Sequence, residues 1–401
     1  MGLSSPRARG ARRWGRSLYH FLENKSVYRL TGFRPSDSLD TVLSKVVFSW
    51  YLLLLLSWAA IAAEPQARAA QSPRIAQLSR EIRNRGWIVY SGRTEKGDWD
   101  LFVMRPDGSH RRDITNTPAV HELGGRFSPD GRKLLYRRIA KDARIRQDGW
   151  GGLGELVISD ADGGNAVAIG TAGEFAWASW SPDGRQIACL SKAGVELVDL
   201  ATRKVVRRID RKGIFQQLTW SPDGRWLCGT ANSFGDAWTI VRMNATTGEV
   251  NPVVKFQNCT PDWFPDSRRL IYSFRPAGQP VLDGGKAAQA VNQKPEYGWT
   301  QLWMAEADGS ARRLVYGEDG RHIYGGAVSP DGKYVLFTRC PTDGGLDNAV
   351  LSLMRLSDAP SIGGPSQALR KLHPDARNAA ILDLGLGWEP YWTAGAAGGA
   401  R

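Results

Sequence analysis

Short apolar runs bounded by turn-forming residues recur along most of the chain, and one phrase accompanies them five times. The phrase is an aromatic or apolar residue, then Ser-Pro-Asp-Gly or a near copy, then a basic residue and a strand-forming run. Its copies are residues 127–131, 180–184, 220–224, 263–267 and 328–332. Self-similarity at a period of roughly 40–60 residues is typical of propellers and solenoids, so the pattern predicts a repeat architecture.

Each Ser-Pro-Asp-Gly phrase has the composition of a β-turn, because Pro presets φ and Gly accepts a left-handed exit from the turn. We therefore expect Gly184 and Gly224 at positive φ. Strand-forming residues follow the turns, for example residues 187–190 and 334–337. An apolar run, a turn and a second apolar run predict a β-hairpin.

A second turn phrase follows each hairpin. It is an apolar run leading into an Asp-Gly turn, and it occurs at residues 101–109, 156–164 and 302–310, with looser copies at 195–209 and 238–254. Each repeat therefore contains two hairpins. Four antiparallel strands in this order are the unit of one propeller blade.

The two ends of the repeat region are complementary. Residues 87–90 and 101–115 provide strands two to four of a blade without a first strand, whereas residues 388–393 look like a first strand without its blade. Pro390-Tyr391-Trp392 also matches Pro261-Asp262-Trp263, which opens a complete blade. We therefore predict an all-β fold, a six-bladed β-propeller of four-stranded antiparallel blades, closed by pairing of the amino- and carboxyl-terminal strands. Closure removes exposed edge strands.

The paired phrases resemble the propeller repeats of the TolB family. The resemblance covers about residues 86–393 and rests on phrases such as Trp180-Ser181-Pro182-Asp183-Gly184 and Met104 followed by Asp107-Gly108-Ser109. It implies a propeller in the cell envelope, since TolB is the periplasmic component of the Tol–Pal system. Residues 64–85 are too few for TolB's amino-terminal α/β domain. The matched residues form turns and strands, so the resemblance implies no catalytic residue.

The chain divides by composition into five parts. Residues 1–45 form a basic leading region, 46–63 an apolar segment, 64–85 a linker, 86–394 the propeller and 395–401 a flexible tail. The apolar segment is either the core of a cleaved signal peptide, favoured by its Ala-rich end, or an uncleaved membrane anchor, favoured by the long basic region before it. Either alternative places the propeller outside the cytoplasm, in the periplasm or tethered to the inner membrane.

The formal charge of +13 does not by itself indicate a particular class of partner. Nine Lys and Arg against three acidic residues lie in 1–45, and the remaining cations are spread through every blade. Nucleic-acid-binding proteins usually cluster their cations on one element, so nucleic acid is not an expected partner. A mild preference for anionic envelope polymers or lipid headgroups is the expected consequence.

The cysteines and histidines show no metal-site spacing. The four Cys lack a CxxC pair, so we expect buried free thiols, with a Cys259–Cys340 bridge as the alternative. His121 and His322 could form a two-histidine metal site, but structural roles are favoured. We therefore expect no cofactor and no metal. The chain also lacks the Gly-x-Ser-x-Gly elbow of hydrolases that carry a propeller.

All short turns of such a propeller share one face, which we name the turn face. The longer connections share the opposite face, which we name the loop face, and binding residues concentrate on such connections. The candidate binding residues expected there are His121, Glu122, Trp150, Trp177, Asn258, Trp299, Arg321, His322, Tyr324 and Arg339. No catalytic residue is assigned.

These observations predict an exported, non-catalytic and monomeric propeller that recognises an envelope protein, a peptide or a glycan. The alternative is a carbohydrate-active or other hydrolase or lyase with its site in the propeller funnel. Paired carboxylates or a histidine cluster in the funnel would favour the enzyme.

Overall fold

The computed structural model describes residues 73–145, 150–235, 238–255, 257–275, 299–318, 320–341, 346–361 and 379–395. The first strands in chain order are β1 (Trp87–Arg93), β2 (Trp99–Met104), β3 (Arg112–Asp113), β4 (Val120–Phe127), β5 (Lys133–Ala140), β6 (Glu155–Asp160), β7 (Val167–Ile169), β8 (Ala176–Trp180), β9 (Gln186–Ser191), β10 (Gly194–Asp199), β11 (Lys204–Ile209) and β12 (Ile214–Trp220). The second half contains β13 (Trp226–Ala231), β14 (Thr239–Asn244), β15 (Val250–Val254), β16 (Asn258–Trp263), β17 (Arg269–Phe274), β18 (Gln301–Glu306), β19 (Arg313–Tyr316), β20 (His322–Val328), β21 (Tyr334–Cys340), β22 (Val350–Arg355), β23 (Leu382–Leu386) and β24 (Trp388–Thr393). A helix, α1, covers residues 73–82.

The strands form six four-stranded antiparallel sheets, so the predicted six-bladed propeller is confirmed. Blade 1 has the order β24-β1-β2-β3, and blades 2 to 6 each contain four consecutive strands, from β4–β7 to β20–β23. Ring closure is confirmed as well. Trp87 pairs with Thr393, Ile88 with Trp392 and Val89 with Tyr391.

The Ser-Pro-Asp-Gly turns are tied by one repeated hydrogen-bond pattern. In the first copy, Ser128 Oγ donates to Asp130 Oδ1 at 2.6 Å and accepts from the backbone N–H of Lys133 at 2.9 Å. Gly184 and Gly224 have φ of 68° and 76°, as predicted, and this left-handed conformation penalises any Cβ. The turn sequence therefore fixes the hairpin register at each blade.

Two of the tryptophans before the turns, Trp180 and Trp263, join neighbouring blades. Trp180 Nε1 donates to the carbonyl of Arg126 at 3.0 Å, and Trp263 Nε1 donates to the carbonyl of Thr219 at 3.4 Å. Both indoles are buried. These two aromatic residues are thus blade-packing residues whose N–H finds a partner in the preceding blade, whereas the Trp220 N–H donates to the carbonyl of Gly224 in its own turn.

Helix α1 lies within residues 64–85, the segment expected as a linker. Leu78 and Ile82 are four residues apart on one helix face and are fully buried against blades 6 and 1. Glu81 pairs with Arg355 at 2.8 Å. The helix was missed because this short amphipathic stretch sits between the apolar segment and the first repeat.

The described residues contain no helix long and apolar enough to cross a membrane. The apolar segment 46–63, the leading region 1–45 and the tail from residue 396 onward lie outside the described residues. All four cysteines are free thiols, so the alternative Cys259–Cys340 bridge is absent.

Candidate functional site

The central channel of the ring is lined by the six inner strands, which are the first strands of the blades. Each inner strand carries a register shift, β12 carries two, and one residue at each bulged segment has positive φ. The six bulge residues are Glu389, Gly124, Trp177, Gln217, Thr260 and Gly325. All six are half-buried between mostly buried strand neighbours, as expected where a bulge turns a residue toward an open space.

Three inner strands place a charged or polar side chain in the channel two residues after the bulge. Arg126 belongs to blade 2, Asp262 to blade 5 and Tyr391 to blade 1. The Arg126 guanidinium carbon lies 5.4 Å from the centre of the Tyr391 ring and interacts electrostatically with Asp262 and Glu389. Blades 2 and 5 are opposite in a ring of six, so Arg126 and Asp262 face each other across the channel.

Burial raises the pKa of both channel carboxyls. Desolvation is the main cause for Asp262, and the charge of Arg126 opposes it. Desolvation also raises the pKa of Glu389, against Arg126 and the indole N–H of Trp150. Among the described residues, no carboxylate forms an ion pair with Arg126. The channel therefore holds opposite charges that are close enough to interact and too far apart to neutralise each other by contact.

Four aromatic side chains, Trp150, Trp177, Tyr324 and Trp388, narrow the loop-face end of the channel, and we name them the aromatic cap. They pack in one cluster with Leu123 and Cys259. The rings of Trp150 and Trp177 meet edge to face with centres 4.9 Å apart, and those of Tyr324 and Trp388 are 6.4 Å apart. The cap joins side chains from blades 1, 2, 3 and 6.

Trp150 reaches the channel from a long connection. It begins a short 3-10 turn, Trp150–Gly152, and only 5% of its surface is exposed. A Cβ on Gly124 would lie 2.2 Å from the Trp150 ring, so the glycine at this bulge is required for the indole to enter. The Trp150 indole N–H has no hydrogen-bond partner among the described residues and faces the Glu389 carboxyl. It is available to a bound acceptor group.

His121 and His322 lie within inner strands, not in the connections where the sequence analysis placed them. The Nδ1 atom of His121 accepts from the backbone N–H of Trp99 at 3.1 Å, and that of His322 accepts from Thr300 at 3.2 Å. His121 Nε2 also bonds the carbonyl of Lys141 at 3.0 Å. Burial lowers the pKa of His121. Each imidazole thus accepts a backbone N–H at the start of the third strand of the blade that precedes its own.

His121 lines a cleft on the loop face. A cleft of about 340 Å³ on the loop face is lined by His121, Trp99, Lys141 and Asp347, and His322 is absent from its lining. Trp299 instead stacks edge to face on His322 at 5.3 Å between ring centres. No group of three or more metal-ligating side chains occurs in the described part of the chain.

Glu122 and Asn258 are buried inside the blades. Glu122 is 2% exposed and contacts the carboxyl of Asp100 in blade 1. Desolvation and Asp100 raise its pKa to about 8, and the pKa of Asp100 rises to about 6. Asn258 Nδ2 donates to the carbonyl of Lys255 at 2.8 Å. Neither side chain faces the channel mouth.

Arg321 and Arg339 form a separate ion-pair group on blade 6. Glu318 lies 3.5 Å from Arg321 and 2.8 Å from Arg339, and Asp383 lies 2.8 Å from Arg339. Of the ten candidate residues, the structure brings Trp150, Trp177 and Tyr324 together at the channel and distributes the rest among strand, interior and ion-pair positions. Trp177 lies in β8, although the sequence analysis placed it in a connection.

The sequence analysis missed Arg126, Asp262, Glu389 and Tyr391. Three of them occupy one position of the repeat, directly before the conserved aromatic of the turn phrase or its counterpart Trp392. That position holds Ser179, Thr219 and Ala327 in the other blades. The available signal for channel-facing residues was a position of varied chemistry that directly precedes the aromatic or apolar residue of each repeat.

No protein-family model and no curated protein matches the sequence. Among solved structures, TolB from Acinetobacter baumannii is similar with a TM-score of 0.54 and 18% identity, covering 77% of this chain and 67% of that chain. A putative TolB from Agrobacterium tumefaciens gives a TM-score of 0.48 and 19% identity, covering 76% of this chain and 90% of that chain. The fold of this chain is therefore a TolB-like six-bladed β-propeller.

Proposed function

We propose that the protein is an exported, non-catalytic binding protein that holds part of a protein, peptide or glycan partner at its central channel. The main observation that supports this proposal is the set of side chains in the channel. Half-buried Trp177 and Tyr391 lie beside Arg126, which has no ion pair among the described residues, and two partly dehydrated carboxyls. Aromatic surface with a few placed polar groups is the usual composition of a binding site.

The rigid setting of these groups supports binding as well. The channel residues sit on strands whose register is fixed by the turns, and bulges at one repeated position aim them inward. Preorganised side chains lose little conformational entropy when a partner arrives. Long connections such as the one that delivers Trp150 adapt the mouth to one partner.

Partner capture with variants of the channel tests the site. The exported chain serves as bait in envelope extract, and captured molecules are identified by mass spectrometry. We expect Arg126→Met to reduce capture by about 10- to 100-fold, since a charged hydrogen bond to a partner contributes roughly 1.5–3 kcal/mol. Only a small fall in melting temperature is expected, because Arg126 makes no ion pair with described residues and loses only its contact with the Tyr391 ring and its charge near Asp262 and Glu389.

Arg339→Met is the matched control, because it removes a guanidinium from the same propeller at a distance from the channel. This variant should keep capture and lose some stability with its two ion pairs. Equal capture by wild type and Arg126→Met, or loss only in Arg339→Met, would contradict a channel site.

A second candidate, a hydrolase or lyase acting in the channel, is favoured by Asp262 and Glu389. Carboxyls with raised pKa are suited to proton transfer near neutral pH. Asp262→Asn separates the two functions. A panel of glycans and peptides is offered to wild type and to the variant. A compound that wild type converts, and that Asp262→Asn still captures and no longer converts, would support the enzyme.

Export rests on the basic region 1–45 followed by the apolar segment 46–63. A phosphatase reporter fused after Arg401 is expected to be active in a bacterial host, because that enzyme folds only outside the cytoplasm. A cytoplasmic reporter at the same site should be silent. The opposite result for the two reporters would overturn export.

A further inference from the structure

The outer strand of blade 3, β11, carries an unusual surface. Among the described residues, four large hydrophobic side chains are exposed, and two of them, Val205 at 38% and Val206 at 54%, are consecutive in this strand. Residues 201–212 are all exposed except Ile209. A turn that includes Gly213 follows them. Adjacent exposed valines at the rim of a propeller have no packing role in the folded chain.

The same twelve residues are strongly basic. They contain six cations and one acidic residue, which gives a formal charge of +5: Arg203, Lys204, Arg207, Arg208, Arg211 and Lys212 against Asp210. Arg208 pairs with Glu196 at 2.7 Å, and Lys212 pairs with Asp210 at 3.1 Å. Arg203, Lys204 and Arg211 form no ion pair with a described residue. Uncompensated charge is therefore concentrated here.

Exposed large apolar side chains occur singly on two other outer strands, Val167 in β7 and Leu386 in β23, and β11 differs from the other described outer strands in combining two of them with a dense group of cations. β3 and β7 contain two and three residues, and β15 contains Pro252. β19 is mostly buried, and β23 carries Asp383. Charged residues, proline and short length all protect sheet edges from unwanted pairing. β11 and its flanks present six cations together with two exposed valines, and the valines do not protect a sheet edge.

We propose that the outer rim of blade 3, residues 201–212, docks on an anionic phospholipid surface. Each Lys or Arg near such a surface gains free energy from the negative headgroups, and small apolar side chains beside them enter the interface. The exposed side chains lie at the outermost strand, so they reach a flat surface before any other part of blade 3. The proposal is independent of the channel and of its partner.

Vesicle sedimentation tests the proposal with the full chain. The probes are vesicles of phosphatidylcholine alone and of phosphatidylcholine mixed with phosphatidylglycerol, and the measured quantity is the increase in binding caused by phosphatidylglycerol. We expect this increase in wild type at low salt and its loss at about 0.5 M salt, because salt screens surface charge. Any insertion by residues 46–63 contributes to both vesicle types, and the basic region 1–45 adds the same phosphatidylglycerol-dependent background to wild type and to every variant, so the rim is tested by the differences between them.

The variant Arg203→Glu with Lys204→Glu should weaken the phosphatidylglycerol-dependent binding by about 30-fold or more, since each cation contributes about fivefold. Val205→Ser with Val206→Ser should weaken it several-fold at low salt. The control is Lys255→Glu with Arg268→Glu, two exposed cations outside blade 3, which changes the net charge equally. This control should retain most of the binding.

Three results would overturn the proposal. One is binding that is indifferent to phosphatidylglycerol, and another is equal loss in the control, which would indicate net charge alone. The third is capture of a poly-glutamate peptide that depends on Arg203 and Lys204 while vesicle binding does not. That outcome would assign the rim to an acidic polypeptide. Thermal melts confirm that each variant is folded before its binding is compared.

Discussion

A chain that ends at Gly387 is expected to be insoluble or largely unfolded at room temperature. The truncation removes β24, which pairs with β1 through Trp87–Thr393, Ile88–Trp392 and Val89–Tyr391. It exposes one long edge on blade 1 and opens the ring between blades 1 and 6. An exposed edge of this length is a template for aggregation.

The energetic loss is large compared with the stability of a typical domain. Trp388 and Trp392 are 3% and 4% exposed, and Trp392 Nε1 donates to the carbonyl of Arg85 at 2.6 Å. Loss of one buried Trp costs roughly 3–5 kcal/mol. Two such losses together with the strand pairing approach the roughly 5–15 kcal/mol that hold a domain folded.

The control is a chain that ends at Ala394, which keeps β24 and removes residues 395–401. This shorter truncation should melt like the parent protein. Soluble expression and an unchanged melting temperature for the chain ending at Gly387 would show that the ring holds together without its closing strand.

Glu122→Gln is expected to stabilise the protein at pH 8 and to leave its stability at pH 5 nearly unchanged. Glu122 and Asp100 are buried carboxyls on adjacent blades, 2% and 1% exposed, and one oxygen of each has no hydrogen-bond partner among the described residues. Desolvation raises the pKa of Glu122 to about 8, with Thr117 and Arg138 opposing and Asp100 adding.

The sign of the pH effect follows from the raised pKa values. In the unfolded chain both carboxyls lose their protons near pH 4, whereas the folded protein keeps a proton on Glu122 until about pH 8. Between these values the folded state binds more protons, so its stability falls as pH rises. Each pKa unit corresponds to about 1.4 kcal/mol, so a loss of a few kcal/mol is expected across this window.

Urea unfolding at pH 5 and pH 8 measures this effect. Wild type should lose stability between the two values, and Glu122→Gln should lose much less, because the amide carries no titrating proton. Glu95→Gln, a change at an exposed carboxyl, should behave like wild type. Equal slopes for wild type and Glu122→Gln would contradict a shared buried proton at the interface of blades 1 and 2.

The sequence was sufficient for the blades and their closure because these features are local and repeated. The phrase around Trp180 or Trp220 specifies a turn within a few residues, and repetition of the turn implies the ring. The match between Pro390-Tyr391-Trp392 and Pro261-Asp262-Trp263 identified the closing strand, and the structure pairs it as predicted.

The channel depended on the tertiary structure. Arg126, Asp262 and Glu389 belong to blades 2, 5 and 1, and only the ring brings their charges together. His121 was expected as a binding residue of the loop face, whereas in the structure its Nδ1 accepts the backbone N–H of Trp99. Local sequence does not reveal which backbone N–H groups of one blade need a hydrogen-bond acceptor from a side chain of the next blade.

By itself the sequence determined the number of strands per blade, the number of blades and the strand that closes the ring, because turn chemistry and apolar runs act over a few residues. Only the tertiary structure decided which side chains face the channel, through a bulge in each inner strand and the entry of Trp150 over Gly124. Burial and charge across a ring are properties of distances between blades. The chain order does not contain those distances.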